Sequence, residues 1–319
     1  MPQPTSQQVH VDQILTNISV AEIQTADDFI ATKVFPIVPV EKQSDRYYIF
    51  DRDAWLRDEA QVRGDASESE GSGFTLSDDS YNALVYALHK DIGSQALANA
   101  DAPINLFDSA TRFVTRQLLM RQEKDWDSTF FTTGVWDTDQ VGGTNFTQWN
   151  DFGASDPADN VDQGKQTMLS NTGFEPNVLI LSYPVFRQLR RHPDVRDQFK
   201  YTSSESITQD MLARYFDIDA IEVVRSIENT ANEGGTLTTD FISGKHALLL
   251  YVPSSAGLLT PSAGYTFAWQ GVSQGLGENV GVARFEMPQL KATRVEAEAA
   301  WDFKVIASEL GYFFQNAVA

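Results

Sequence analysis

The sequence concentrates cationic side chains in one stretch, PNVLILSYPVFRQLRRHPDVRDQFKYT, residues 176–202. Four arginines follow an apolar run in this stretch: Arg187, Arg190, Arg191 and Arg196. Cations at this density could bind a phosphate, or they could contact an acidic surface of another subunit. Asp194 and Asp197 flank Arg196 and give the stretch mixed charge. The pattern therefore favours helix capping or an ionic contact with a partner over a phosphate site.

The same stretch predicts a strand followed by two short helices. Ser182 is a favourable N-cap residue, and Pro184 fits the first turn, where its missing backbone donor has no helical partner. We expect this helix to end at His192 and Asp194 to cap a second helix that ends near Phe199.

Other residues that could carry chemistry show no catalytic or metal-binding spacing. The four histidines are far apart in the sequence: His10, His89, His192 and His246. GxxxxGK[ST] and GxGxxG motifs are absent, and the sequence predicts no enzyme, no metal and no cofactor. Paired carboxylates can hydrolyse glycosidic bonds, and with 44 acidic residues some pair can always be proposed. A soluble carboxylate-dependent hydrolase therefore stays open as the less favoured alternative.

Composition narrows the classes further. The chain has 319 residues, a net charge of −20 and no cysteine, which excludes disulfides and thiolate metal sites. Such an acidic surface repels nucleic acid and anionic membranes. No stretch approaches the ~20 apolar residues of a membrane span, and the N-terminus shows no signal-peptide pattern.

Two strand-like segments, residues 46–50 and 74–88, enclose an acidic tip at residues 64–73 that is rich in glycine and serine. They predict a long hairpin whose halves of about 20 residues would reach on the order of 60 Å. Because an isolated two-stranded hairpin is marginally stable in water, another part of the chain or another copy of it must cover this hairpin.

A long helix is predicted over residues 105–131, roughly 40 Å at 1.5 Å per residue. Its apolar stripe is predicted to contain Leu106, Ala110, Phe113, Gln117 and Met120, with Phe107, Val114 and Leu118 beside it. Residues 160–270 alternate helices with short apolar strands, which is typical of a compact α/β or α+β domain. Towards the end, Arg294, Glu296 and Glu298 alternate with small apolar residues, a pattern that predicts a strand with one solvated and one buried face.

Taken together, these parts resemble a tailed-phage major capsid protein with the Hong Kong 97-like capsid fold. The strongest local match is residues 176–202, a strand, a Tyr-Pro helix start and a helix that ends at His-Pro-Asp. ELGYFFQNAV, residues 309–318, is similar to the usual ending of the family.

The resemblance implies an α+β fold in four parts. These are an N-terminal arm at 1–44, an extended loop at 45–90, a peripheral domain with a long spine helix at 91–159 and 273–319, and an axial domain at 160–272. The loop residues expected to make assembly contacts are Trp55, Arg57 and Phe74.

The function that the resemblance implies is structural. The chain would assemble as pentamers and hexamers into an icosahedral head shell that encloses double-stranded DNA without sequence-specific binding and without a membrane. An encapsulin-type compartment without a genome is the alternative. The implied location is the virion, with assembly in the host bacterial cytoplasm.

Two departures from some family members refine the expected partners. No lysine lies between Lys42 and Lys90, so the loop lacks the nucleophile that cross-links certain capsids, and we expect a non-covalent shell. The N-terminal arm is too short for a fused scaffolding segment, so we expect a separate scaffolding protein, together with a portal; a decoration protein stays open.

Overall fold

The computed structural model describes residues 29–50, 56–100, 105–199, 207–257, 260–271 and 281–319. Most of the predicted arm and the predicted contact residue Trp55 lie outside these residues.

Strands and helices intermix along the whole described chain. The strands are β1 (Ile37–Val40), β2 (Ser44–Phe50), β3 (Leu76–Asn82), β4 (Leu84–Gly93), β5 (Thr138–Val141), β6 (Val178–Ser182), β7 (Ala220–Val224), β8 (Ile227–Asn229), β9 (Thr239–Phe241), β10 (Ala247–Leu250), β11 (Gly264–Trp269), β12 (Gly281–Met287), β13 (Ala292–Val305) and β14 (Gly311–Gln315). The α-helices are α1 (Ser94–Ala98), α2 (Leu106–Phe130), α3 (Pro157–Thr172), α4 (Tyr183–Leu189), α5 (Pro193–Phe199) and α6 (Gln209–Phe216). An α+β fold is confirmed.

The first sheet, called here the β13 sheet, is built around the 14-residue strand β13. This strand pairs antiparallel with β4, β11 and β12, and β1 extends the sheet by parallel pairing with β11. Val295, Ala297 and Ala299 of β13 are buried, whereas Arg294, Glu296 and Glu298 between them are partly exposed. The predicted alternation of a buried and a solvated face is confirmed.

The long helix α2 packs against the β13 sheet and agrees with its predicted bounds. The Asn105 side chain accepts hydrogen bonds from the backbone N–H groups of Phe107 and Asp108 and so caps the helix. The apolar residues buried along the helix are Ala110, Val114, Leu118, Trp126 and Phe130. The predicted stripe is therefore wrong in its middle, because Phe113 is exposed and lies beneath the Lys90 ammonium, 5.2 Å from the ring centre.

The second sheet, called here the β10 sheet, has the order β5-β14-β10-β6-β7. All four residues of β10 are buried. Its Leu248 joins the core that contains α2, and its Leu249 joins the core that contains residues of α3, α4, α5 and α6. The strand is thus covered on both faces, which explains its continuous apolar sequence.

The structure assigns β5 and β14 to the β10 sheet. The predicted boundaries placed both strands with the peripheral domain, at 91–159 and 273–319. The reason for the difference is non-local pairing: β14 pairs antiparallel with β10, and β5 pairs parallel with β14. Residues 311–314 are buried on both faces of the strand.

The predicted long hairpin is shorter than expected. β2 and β3 form an antiparallel ladder from Ser44–Asn82 to Phe50–Leu76. Ala83 is fully buried, and its N–H donates to the carbonyl of Gln43, so the chain turns out of the ladder here and continues as β4 in the β13 sheet. Residues 56–75 lie outside any strand, and all of them except Glu59 are exposed.

The last residues of the predicted arm that the structure describes lie on the chain's own body. β1 pairs with β11, and the Phe35 ring lies 4.5 Å from that of Phe130 on α2. Among the described residues, no helix is both long and apolar enough to cross a membrane.

Candidate assembly surfaces

The base of the β2–β3 ladder is anchored by aromatic contacts. The Tyr81 ring stacks on Phe267 of β11 at 4.6 Å, and the Tyr47 ring lies 5.3 Å from the same phenylalanine. The Tyr47 hydroxyl donates to the Asp79 carboxylate at 3.0 Å, and burial, followed by this contact, raises the pKa of the phenol. The ladder therefore leaves the body from a fixed point.

Beyond this base, the ladder and the loop expose apolar side chains. Tyr48, Leu56, Val62, Phe74 and Leu76 are all exposed, and Val62 is completely so. A series of large apolar side chains on one projecting segment is typical of a surface that another molecule covers. We call residues 44–82 the ribbon.

The structure describes two of the three predicted contact residues, Arg57 and Phe74, and both lie on the ribbon. The Arg57 guanidinium donates to the Glu59 carboxylate at 3.1 Å, and Phe74 is 56% exposed on the returning limb. Hydrogen bonds from Ser72 and Arg57 hold the pKa of Glu59 below its usual value. Glu59 therefore joins the outgoing limb to the returning limb, and Arg57 and Phe74 are displayed by one connected loop.

The arginine-rich stretch forms a cavity of about 390 Å³, called here the arginine pocket. Its lining residues are Tyr183, Phe186, Arg187, Arg190, Arg191, Arg196 and Ile207. The Arg190 guanidinium lies 5.5 Å from the centre of the Phe186 ring. Within the described chain, Arg187, Arg191 and Arg196 have no carboxylate at ion-pair distance. Arg187 and Arg196 lie in the last turns of α4 and α5, where a cation is favourable for the helix dipole.

The predicted caps of this region are confirmed only in part. Ser182 occupies the N-cap position of α4, but its buried hydroxyl makes no cap hydrogen bond and has no partner among the described residues. The helix ends at Leu189, before the predicted end at His192. The second helix begins at Pro193, one residue before Asp194, and the Asp194 N–H donates to Nδ1 of His192. His192 is fully buried, and its Nε2 lies 3.0 Å from the Ser155 hydroxyl, so this imidazole is a structural group.

Sequence analysis missed a buried carboxylate at the centre of the molecule. Glu123 of α2 is completely buried and accepts hydrogen bonds from the N–H groups of Ile30 and Ala31, at 3.0 and 2.9 Å. The Ser226 hydroxyl donates to its other oxygen at 3.2 Å. Burial raises the pKa of Glu123 to about 7 against these hydrogen bonds. One carboxylate thus links the start of the described chain, α2 and the connection that follows β7.

A second carboxylate, Asp127, lies one helical turn away. Burial raises its pKa to about 7, and the nearby charges of Glu123 and Glu228 act in the same direction. In the same region, the Lys124 ammonium pairs with the Glu228 carboxylate. The burial of these two carboxylates could not be predicted, because the sequence around them, RQEKDWD, is typical of a solvated charged surface. Glu123 has no exposed surface, and the described residues contain no cluster of groups suited to a metal.

These features define the class first: the chain has the Hong Kong 97-like capsid fold. The capsid of the cyanophage P-SCSP1u aligns with a TM-score of 0.59 at 10% identity, over 90% of this chain and 88% of that one. A phage-related protein of Bordetella bronchiseptica aligns with a TM-score of 0.68 at 22% identity, over 96% and 97%. An encapsulin complex from Synechococcus elongatus also aligns, with a TM-score of 0.53 at 10% identity, over 89% and 86%.

Two sequence relatives, both from phages, have the same function as each other. The major capsid protein of Pseudomonas phage JBD67 is 25% identical over 317 residues, 97% of each chain. The major capsid protein of Burkholderia phage BcepMu is 24% identical over 272 residues, 82% of this chain and 84% of that one. No family model matches the chain. The predicted resemblance to phage major capsid proteins is confirmed.

Proposed function

We propose that this chain is the major capsid protein of a tailed phage, a structural protein that assembles with copies of itself into the icosahedral head. Similarity to two phage major capsid proteins across most of the chain supports this function. The observation that carries it is the ribbon, on which Tyr48, Leu56, Val62 and Leu76 expose large apolar side chains.

In an assembled shell, the ribbon would contact neighbouring copies of the chain. Several modest contacts to several neighbours hold each copy far more strongly than any single contact, because every later contact forms within an already assembled lattice. We infer that copies group as pentamers and hexamers, and that a separate scaffolding protein and a portal take part.

The domain organisation is proposed in a modified form. The N-terminal arm at 1–44 and the extended loop at 45–90 keep their predicted bounds. The peripheral domain comprises α2 with β11, β12 and β13, and it therefore takes β11 from the predicted axial range 160–272. β1 of the arm and β4 at the end of the loop pair with its sheet. The axial domain comprises the β10 sheet with α3, α4, α5 and α6, and it therefore takes β5 and β14 from the ranges 91–159 and 273–319. A core shared by the β10 sheet and these four helices supports the axial grouping.

The net charge of −20 suits a container for DNA. An acidic inner wall does not release counterions from the phosphates and so does not bind the genome tightly or by sequence. We propose that the protein resides in the virion after assembly in the cytoplasm of a host bacterium, and that it performs no catalysis.

Negative-stain electron microscopy of the purified chain tests this proposal. We expect closed shells, tubes or rings of five and six subunits, because the ribbon surface needs copies of the chain to cover it. A monodisperse monomer that hydrolyses a carbohydrate substrate would instead support the carboxylate-dependent hydrolase.

An encapsulin-type compartment is the second candidate, because an encapsulin shell shares the fold. The contents of particles isolated from the native source separate the two. Nuclease-protected double-stranded DNA of genome length supports the phage head, whereas particles filled with protein cargo and free of DNA support the compartment.

A further inference from the structure

The arginine pocket is an anomaly in an acidic chain. The sequence has 44 acidic and 24 basic residues, yet four arginines line one cavity of about 390 Å³. Guanidinium groups pair with carboxylates in bidentate geometry and are favoured at interfaces. Within the described chain, Arg187, Arg191 and Arg196 lack such a partner. The pocket is therefore suited to a carboxylate-bearing surface of another molecule.

The axial region of the same chain presents such a surface. Lys165 is nearly buried, and three carboxylates surround its ammonium group: Asp162 at 3.6 Å, Asp217 at 3.9 Å and Glu175 at 4.0 Å. Their side chains are 60–97% exposed. Asp219 follows Asp217 closely and is also exposed. Lys165 thus pairs with three carboxylates before any partner binds. Together with Asp219 these residues form a surface of net negative charge, called here the acidic patch.

We propose that the arginine pocket of one copy binds the acidic patch of the next copy in a ring. This inference rests on the proposed function, because it names residues through which identical copies join. A closed ring of identical copies requires two different complementary surfaces on each copy, arranged head to tail. The pocket and the patch are such a pair: opposite in charge, and both carried by the helices and connections that cover the β10 sheet.

The acidic patch is a better partner for the arginine pocket than the acidic tip of the ribbon, because its carboxylates are already positioned. Because Lys165 already gathers its carboxylates, docking loses little conformational freedom. The tip of the ribbon, with Asp65, Glu68 and Glu70, is also acidic and exposed. It lies in an irregular loop of about 20 residues, so fixing it in the pocket would cost more conformational entropy.

Charge reversal with rescue tests the pairing. Arg187→Glu combined with Arg191→Glu reverses the pocket, and Asp162→Arg combined with Asp219→Arg reverses the patch. We expect each pair to leave a folded subunit by circular dichroism and to reduce the assembled fraction at least tenfold in size-exclusion chromatography and microscopy. The quadruple variant, in which the charges face each other again, should recover rings or shells. Lys245→Glu and Glu233→Arg, exposed residues outside both surfaces, serve as matched controls and should assemble normally.

Each other outcome contradicts the pairing. Normal assembly of either reversed pair, or no recovery in the quadruple variant, rules it out. Recovery of the pocket variant by Glu68→Arg with Glu70→Arg would identify the ribbon tip as the occupant instead. A pocket variant that forms normal shells but retains less nucleic acid would identify nucleic acid. If the unaltered chain forms no rings, tubes or shells, the proposed function itself fails, which is a different result from failure of the pairing alone.

The absence of cysteine in the sequence permits a direct measurement. A disulfide needs Cα atoms about 4.4–6.8 Å apart. In a variant with Arg191→Cys and Asp219→Cys, oxidised glutathione should produce ladders of linked subunits from assembled protein on a non-reducing gel. Lys245→Cys paired with Asp219→Cys is the control and should remain monomeric. Equal ladders from both variants, or none from the first, would contradict the proposed contact.

Discussion

The β10 sheet and the ribbon differ most in how far their residues are buried. Every residue of β10 is buried, between a core that includes α2 and a core that includes four helices. In the ribbon loop, residues 56–75, only Glu59 is even partly buried. The sheet is stabilised by contacts within its own chain. The loop has little buried surface of its own, and under the proposed function neighbouring copies cover it.

This contrast assigns folding and assembly to different residues. Full burial of one large apolar side chain contributes about 1.5–3 kcal/mol. Phe74 and Leu76 are 56% and 51% exposed and thus retain much of that free energy for a neighbour. Substitutions in the body should therefore change the subunit's stability, and substitutions in the loop should change assembly.

Deletion of residues 57–73 should have the largest effect on assembly. The deletion leaves the β2–β3 ladder and both cores intact, so we expect a melting temperature within about 3 °C of the unaltered subunit by calorimetry. We also expect no closed shells in electron micrographs, because the uncovered loop surface is lost.

Replacement of the same residues by a glycine-serine segment of equal length is the control for loop length. It should also fail to assemble, because it lacks the apolar and charged side chains. Normal shells from the deletion would show that the ribbon loop is dispensable and would remove the main support for the contrast.

The largest effect on subunit stability should come from Gly311→Ala in β14. A Cβ atom at this position would overlap the indole ring of Trp136, which is itself buried. Overpacking of a rigid core costs about 1–3 kcal/mol and occasionally more, so we expect about 3 kcal/mol in urea unfolding. Gly153→Ala is the matched control, because a Cβ atom there meets only ordinary contacts. An unchanged unfolding midpoint for Gly311→Ala would show that this core yields to added volume.

Local sequence signals predicted the elements that depend on local physics. The bounds of α2 followed from helical periodicity and from a capping asparagine, and Asn105 indeed caps it. The buried face of β13 followed from alternation. Alternation succeeds because it reports which side of a strand meets the core. The stripe predicted for α2 did not report its buried side correctly, since Phe113 is exposed.

Long-range pairing and burial were not predictable in the same way. Residues 311–315 read as a strand, but nothing in them indicates that β14 would pair with β10 and β5. Ser182 has the right side chain for a cap, yet its hydroxyl makes no cap bond. Glu123 lies in a charged run, and its burial follows from the approach of residues 30 and 31, more than 90 positions away. The partners of a surface such as the arginine pocket lie on other copies, beyond what the sequence of one chain displays.

Glu123 should make the body's stability depend on pH. Its pKa rises from an ordinary 4.5 to about 7 in the folded chain. The folded state therefore binds this proton more tightly than the unfolded state, and the free energy of unfolding should fall as pH rises between these values. We expect a loss on the order of 2 kcal/mol between about pH 5 and about pH 8. Asp127, whose pKa is raised to about 7, acts with the same sign.

Glu123→Gln isolates this contribution, because the amide oxygen can still accept from the N–H groups of residues 30 and 31. Urea unfolding at a series of pH values should show a shallower slope for the variant. Asp127→Asn added to it should flatten the slope further. If the unfolding free energy changed with pH equally in the unaltered chain and in both variants, burial would not raise the pKa of Glu123.

The smallest change in subunit stability is expected from Phe74→Ala, and this is where the contrast is sharpest. The side chain is more than half exposed, so its loss should shift the subunit's unfolding free energy by less than about 0.5 kcal/mol. The same substitution should raise the protein concentration needed for half-maximal assembly several-fold, because a buried interface aromatic is a typical hot spot. Arg57→Ala provides a polar comparison on the same loop, and Ser69→Ala serves as an exposed control on that loop. The opposite result would be a stability loss as large as that from a core truncation, with assembly unchanged. Phe74 would then belong to the packing of the subunit itself and not to an assembly surface.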